Sequence, residues 1–210
     1  MATHDSAARF LPPGPTDLEA LRQASRGCRG CPLYEKATQT VFGSGPADSP
    51  LMLVGEEPGD QEDRAGEPFV GPAGRLLRTA MRSAGLAPDE AYLTNAVKHF
   101  KFEQRGKLRL HKKPSAREVA ACAPWLHAEL EAVRPRLVVA LGATASQALL
   151  GPSVRVTRDR GSVFDGPGGV RVLATVHPSS ILRSPDREAR ASATTRFVED
   201  LTEAGRLARG

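Results

Sequence analysis

A chain of 210 residues is long enough for one well-buried core, and 40% hydrophobic with 25% charged residues is a globular balance, not a fibrous or membrane-spanning one. No apolar run approaches the roughly 20 residues that cross a bilayer, and MATHDSAARFLPPGP lacks the regions of a signal peptide, so the expected compartment is the cytoplasm. The net charge of +5 is local: Lys98 to Lys113 hold seven Lys/Arg against Glu103, leaving 22 Lys/Arg against 23 Asp/Glu elsewhere. Such a patch is either a solvated loop or a surface that releases counterions from a phosphate backbone, and the second reading is preferred.

Residues 1–15 hold Pro12, Pro13, Gly14 and Pro15 and read as a flexible leader to a single domain over 16–210. Thr16 with Glu19 forms a capping-box pattern opening a helix near 17–26. PLMLVGEEPGD (50–60) predicts a buried strand that stops at a loop. In 71–86, Leu76, Leu77, Ala80, Met81 and Ala84 recur at helical spacing before Gly85, and AYLTNAV (91–97) predicts a second strand. The basic stretch from Lys98 to Lys113 reads as a loop. Ser115 and Glu118 then cap a helix whose apolar face runs through Val119, Cys122, Trp125, Leu126, Leu130 and Val133, with a kink or early break expected at Pro124. RLVVALG (136–142) predicts a strand entering a short helix, VRVLATVHPSS (170–180) a strand ending at a His-Pro turn, and 186–208 a closing amphipathic helix.

Strands alternating with helices predict an α/β fold, a three-layer α/β/α sandwich with a central, mostly parallel sheet. Ligands of such sheets bind beyond the carboxyl ends of the strands, where GEEPGD, TNAVKH and HPSS would meet. Cys28 and Cys31 form CRGC, and Cys122 follows 91 residues after Cys31. An odd count argues against a disulfide framework. The pair alone suits a redox motif, half a zinc site or half an iron–sulfur site, and Cys122 alone suits a core position. If the three cysteines act together, His99 is the best-placed fourth ligand, and spacing does not separate zinc from iron.

CRGCPLY, GEEPGDQEDRAGEPFVGPAGRLL, YLTNAVKHFKF, the loop ending RLHK, EVAACAPWL and ATVHPSSILR together resemble the uracil-DNA glycosylase superfamily, in that family's order, from about residue 28 to residue 183. The resemblance is strongest to the iron–sulfur family four and, within it, to UdgX-type proteins that cross-link to uracil DNA. It implies a 4Fe-4S cluster on Cys28, Cys31, His99 and Cys122, with histidine where ordinary family-four members place a cysteine. The implied partner is uracil-containing DNA, single strands favoured, acted on by a monomer in base-excision repair.

Breaking the bond from uracil N1 to C1′ builds positive charge on the sugar and negative charge on the base, after the nucleotide has left the stack. Phe69 is the candidate stacker, Asn95 the reader of the uracil edge and His177 the donor toward uracil O2. Glu56 and Glu57 lie where a carboxylate could steady the sugar cation or orient a nucleophile. Relatives usually carry Ala or Gln at Glu57, so this chain leaves room for hydrolytic turnover. Gly55, Asp60, Arg109 and Ser179 complete the candidate substrate-binding set. Asp60 and Glu62 are expected to shape the loop, and Arg109 to hold the loop or a phosphate. By the same resemblance His111 attacks C1′ and leaves the protein bonded to the abasic sugar. The competing readings are a water-using family-four enzyme and a noncatalytic, metal-stabilised nucleic-acid binder.

Overall fold

The computed structural model describes residues 6–14 and 17–210. Four strands run parallel, β1 (Leu51–Gly55), β2 (Tyr92–Asn95), β5 (Leu137–Leu141) and β7 (Arg171–Thr175), in the spatial order β2-β1-β5-β7. A short strand, β6 (Val163–Asp165), closes the β7 edge antiparallel. Two more strands, β3 (Phe102–Arg105) and β4 (Leu108–His111), form a separate hairpin.

The central strands are apolar at nearly every position because both faces of a parallel sheet are covered. Leu51, Leu53, Leu137, Val139, Leu141 and Leu173 face one cluster, with α3 (Pro72–Ser83) and α8 (Arg187–Arg209). The alternate residues Met52, Val54, Val138, Ala140 and Val172 face the other, with α4 (Ala116–Val133) and α5 (Gly142–Leu150). The buried stripe of α8, Phe197, Leu201, Ala204 and Ala208, has the spacing of a single helix face. The three-layer α/β/α sandwich with a mostly parallel sheet is therefore present. No helix among the described residues is long and apolar enough to cross a membrane.

Several local expectations need correction. Thr16 lies outside the described residues, and Asp17 caps the first helix, α1 (Leu18–Ser25), accepting from Ala20 N at 2.8 Å. Within the expected leader, Ala7 is buried beside Leu21, Leu33 and the cysteines, so this part packs on the domain. The capping box of α4 is present, but Pro124 neither breaks nor ends that helix. Buried residues on both sides of it, Ala121 and Cys122 before, Trp125 and Leu126 after, outweigh the roughly 3 kcal/mol that an interior proline costs. The basic loop is a hairpin with a two-residue turn at Gly106 and Lys107, where Gly106 takes φ 59°. The GDQEDRA segment, expected as loop, forms the short helix α2 (Asp60–Ala65).

Candidate active site

Parallel strands place Gly55, Asn95, Leu141 and Thr175 at one edge of the sheet. The β1 and β2 loops are stitched together there: Ala96 N donates to Gly55 O at 2.9 Å and Val97 N to Glu56 O at 3.0 Å. Above this edge is a cavity of about 740 Å³ lined by Glu56, Glu57, Asp60, Phe69, Asn95, His111, His177 and Ser179, with Lys113 and Arg183 at its rim. Eight of the candidate residues thus share one hollow. Gly55 is not among the lining residues but packs closely against two of them: a methyl there would stand 2.3 Å from Asn95 Oδ1 and 2.7 Å from Phe69 Cζ.

Phe69 is held in a left-handed conformation, φ 58°, which bulky residues avoid. Its surroundings fix it. Glu62 accepts from Gly59 N at 3.2 Å and from Gly71 N at 2.7 Å, tying the chain before Phe69 to the chain after it. At Gly74 an added methyl would meet Phe69 O at 1.8 Å, so only glycine lets α3 begin there. Glu62 shapes the loop, as expected. The Phe69 and His177 rings face each other at 6.3 Å between centroids and 28° between planes.

His177 caps α7 (Pro178–Leu182) with its ring: Ser179 N donates to Nδ1 at 3.1 Å, and Ser179 Oγ lies 2.8 Å from the same nitrogen. Burial pushes its pKa down to about 4, with Arg183 and His111 adding to the effect. A neutral ring whose Nδ1 accepts carries its hydrogen on Nε2, as a donor for the cavity.

β4 brings His111 to the rim. Its Nε2 stands 3.0 Å from Glu57 Oε1 and 3.8 Å from Glu56 Oε1. These are ion-pair distances, yet no donor is aligned as a full hydrogen bond on either buried Glu57 oxygen among the described residues. Burial raises Glu57 to about 7, against the pull of His111. Its carboxylate in turn raises His111 above the usual imidazole value. Glu56 is tied separately, accepting from Thr144 Oγ1.

Arg109 does not reach the cavity. Its guanidinium contacts Asp60 Oδ1 at 2.5 Å and Asp63 Oδ2 at 2.6 Å and packs over Phe100 and Phe102. Of its two expected roles, it fills the loop-holding one, and Asp60 is its partner on α2. Arg109 and His111, two residues apart, lie on the same side of β4. The cationic stretch also needs correcting: Lys98 is fully buried, while Lys101 pairs with Glu118 and Lys112 with Glu103. Only Arg105, Lys107 and Lys113 of the seven lack an ion pair among the described residues.

The sequence reading missed the support beneath the pocket. Lys98 Nζ donates to Glu129 Oε2 at 2.5 Å, Thr94 Oγ1 at 2.7 Å and Asn95 O at 2.8 Å. Glu129 Oε1 also accepts from Gly43 N, Tyr92 Oη and Thr94 Oγ1. Every member of this network except Lys98 lies outside the basic stretch, so no local pattern signals it.

Cys28, Cys31 and Cys122 are buried on one apolar wall with Val97 and Trp125. Trp125 Nε1 donates to Cys28 Sγ and Lys98 N to Cys122 Sγ, both at 3.2 Å. Burial pushes the Cys122 thiol up to about 12. His99, next to Lys98, is buried, and burial lowers it to about 4, which keeps the imidazole neutral. Among the described residues no three His, Cys, Asp or Glu side chains stand at single-ion distances. Three soft thiols, a neutral imidazole and N–H donors aimed at two sulfurs fit a thiolate-bound group.

Comparison with known proteins places this edge in a family: residues 42–202 match the uracil DNA glycosylase superfamily. The chain belongs to the uracil-DNA glycosylase superfamily. It is 38% identical over 174 residues to a type-4 uracil-DNA glycosylase of Thermotoga maritima, covering 82% of this chain and 87% of that protein. It is 35% identical over 176 residues to a type-4 uracil-DNA glycosylase of Pyrobaculum aerophilum, covering 80% and 86%. A type-5 uracil-DNA glycosylase of Thermus thermophilus is 31% identical over 229 residues, covering 91% and 99%. In this superfamily member, the matched span holds the whole cavity, the hairpin with His111 and Cys122, while Cys28 and Cys31 precede it.

Proposed function

We propose that the protein excises uracil from DNA and becomes bonded through His111 to C1′ of the abasic deoxyribose, as UdgX-type proteins do. The observation that carries this reading is His111 at the rim of the cavity, its Nε2 3.0 Å from Glu57 and its ring above the pocket of Phe69, Asn95 and His177. Phe69 stacks on the flipped base, and the Asn95 amide reads N3–H and O4. As the bond to N1 breaks, its electron pair leaves on uracil, and His177 Nε2–H donates to O2. Glu56 offsets the positive charge on the sugar, and the imidazole lone pair then bonds to C1′.

Cys28, Cys31, His99 and Cys122 would hold a 4Fe-4S cluster, whose contribution is to fix the loops that carry it. One observation favours the water-using alternative: Glu57 is buried at the pocket, and its value near 7 suits a general base at neutral pH.

The test is a denaturing gel of protein incubated with uracil-containing single-stranded DNA. A heat-stable shifted band is expected with uracil and not with thymine. Repeated release of free uracil without that band would favour water; no release and no base preference would favour a binding protein.

Gly55 offers a separate check. Gly55→Ala places a methyl against Asn95 and Phe69, and a shift of about 1 Å at a reacting centre costs on the order of a hundredfold. Uracil release by Gly55→Ala is expected to fall by that order, and a rate within about twofold of wild type would contradict the assigned roles.

A further inference from the structure

A second hollow, of about 680 Å³, lies at the end of the sheet opposite the active-site edge. Arg136 stands just before β5 and Arg171 opens β7, and both strands run from there toward Leu141 and Thr175. The length of a five-residue strand, roughly 15 Å, therefore separates the two hollows.

Three arginines line this hollow, Arg134, Arg136 and Arg171, against one carboxylate, Glu131. None of the three is in an ion pair among the described residues. Two are oriented by the end of α8: Arg136 Nη1 donates to Arg209 O at 3.4 Å and Arg171 Nη2 to Leu207 O at 2.7 Å. A guanidinium carries five N–H donors, so each keeps most of them for another partner. Arg134 is exposed and takes φ 49° at the end of α4, a conformation that favours glycine at a helix terminus. The backbone there gains nothing from an arginine, which leaves the cation itself to be explained.

The lining also includes the apolar Pro135, Pro167 and Val170. A phosphate or a DNA backbone would match the guanidinium groups and gain nothing from that wall. A peptide uses both: carboxylates sit two-pronged on arginines, and a bulky side chain covers the apolar surface. The volume falls within the range of ligand sites and exceeds what a lone phosphate fills.

We propose that this hollow docks an acidic segment of a partner protein, its carboxylates on Arg134, Arg136 and Arg171 and one large apolar side chain against Pro135, Pro167 and Val170. The active-site edge stays open at the far end of the strands, so partner and DNA are held together. The inference does not depend on the chemistry of His111.

The experiment follows the fluorescence anisotropy of a labelled hexapeptide, five acidic residues around one phenylalanine, titrated with the full chain. Saturable binding is expected. Arg134→Asn removes the guanidinium while asparagine tolerates the backbone conformation, and it is expected to weaken binding about tenfold, as loss of a charge-assisted bond does. Coincident melting curves and unchanged uracil release should accompany that loss. Alanine in place of the peptide's phenylalanine is expected to weaken binding about tenfold as well, from the apolar surface no longer buried. A thymine-containing single-stranded oligonucleotide at saturation should leave the affinity within about twofold. Absence of saturable binding, or equal binding by wild type and Arg134→Asn, overturns the proposal. Displacement by the oligonucleotide places the peptide on the DNA face and overturns it too. Equal affinity for the alanine peptide, with inorganic phosphate competing freely, means a simple anion site and overturns the peptide partner.

Discussion

In the Glu57→Gln variant, adduct formation is expected to reach half its maximal rate at a lower pH than in the wild type. Only a neutral imidazole attacks C1′, and the Glu57 carboxylate beside Nε2 holds His111 protonated above its ordinary 6.5. Glutamine keeps the size of the side chain and removes the charge, so the nucleophile forms sooner as pH rises. His111→Ala, the reference, is expected to give no adduct at any pH. Rate–pH profiles read from denaturing gels decide the matter: coincident profiles would show that Glu57 does not govern His111. If Glu57 instead activates water, the variant loses uracil turnover and traps a larger fraction of each encounter.

Stability gives an independent reading of the same pair. Glu57 has a folded value near 7 against 4.5 for the free carboxyl, so burying its charge costs stability above pH 4.5, and in full above 7. The raised His111 contributes stability that is complete below 6.5 and fades as pH climbs through its folded value. Replacing Glu57 removes both effects. Thermal melts should therefore favour Glu57→Gln on the alkaline side of about pH 7, with the advantage shrinking toward pH 6.

Lys98→Met is expected to lower stability by about 3–5 kcal/mol, the usual effect of leaving one member of a buried ion pair alone. In a chain of this length that is a fall in Tm on the order of 10 °C. Glu129 is fully buried, and its Oε2 would lose the ammonium 2.5 Å away. Asn95 O would lose its Lys98 donor as well, so uracil release should fall with Tm. Lys98→Met with Glu129→Leu removes both charges and should recover much of the loss. A single-variant Tm within about 2 °C of wild type would mean that the pair carries little.

The sheet was legible because its central strands are apolar almost without interruption, and the start of α4 because Ser115 and Glu118 form a local signal. The hairpin was not, since FEQR alternates poorly and its charges mimic a solvated loop. Lys98 misled for a related reason. Its partner Glu129 lies 31 residues on, and a lysine among lysines reads as surface until the fold brings that carboxylate beneath it. Asn95 and His177 are unremarkable alone and gain meaning only where the parallel strands end together. The three cysteines share one apolar wall, as a common role for them requires, while the spacing that left zinc and iron unresolved is a property of sequence distance alone.

Since Arg109 and His111 share one side of β4, the position of the reactive imidazole is a matter of parity. The turn beyond Leu108 can lengthen or shorten without consequence for which way the ring points. Removing a single residue between the anchor and the imidazole would instead turn the ring to the opposite face of the ribbon, away from Glu57. The arm thus tolerates variation at its free end and almost none over its last three residues, so tip length and nucleophile placement can change independently.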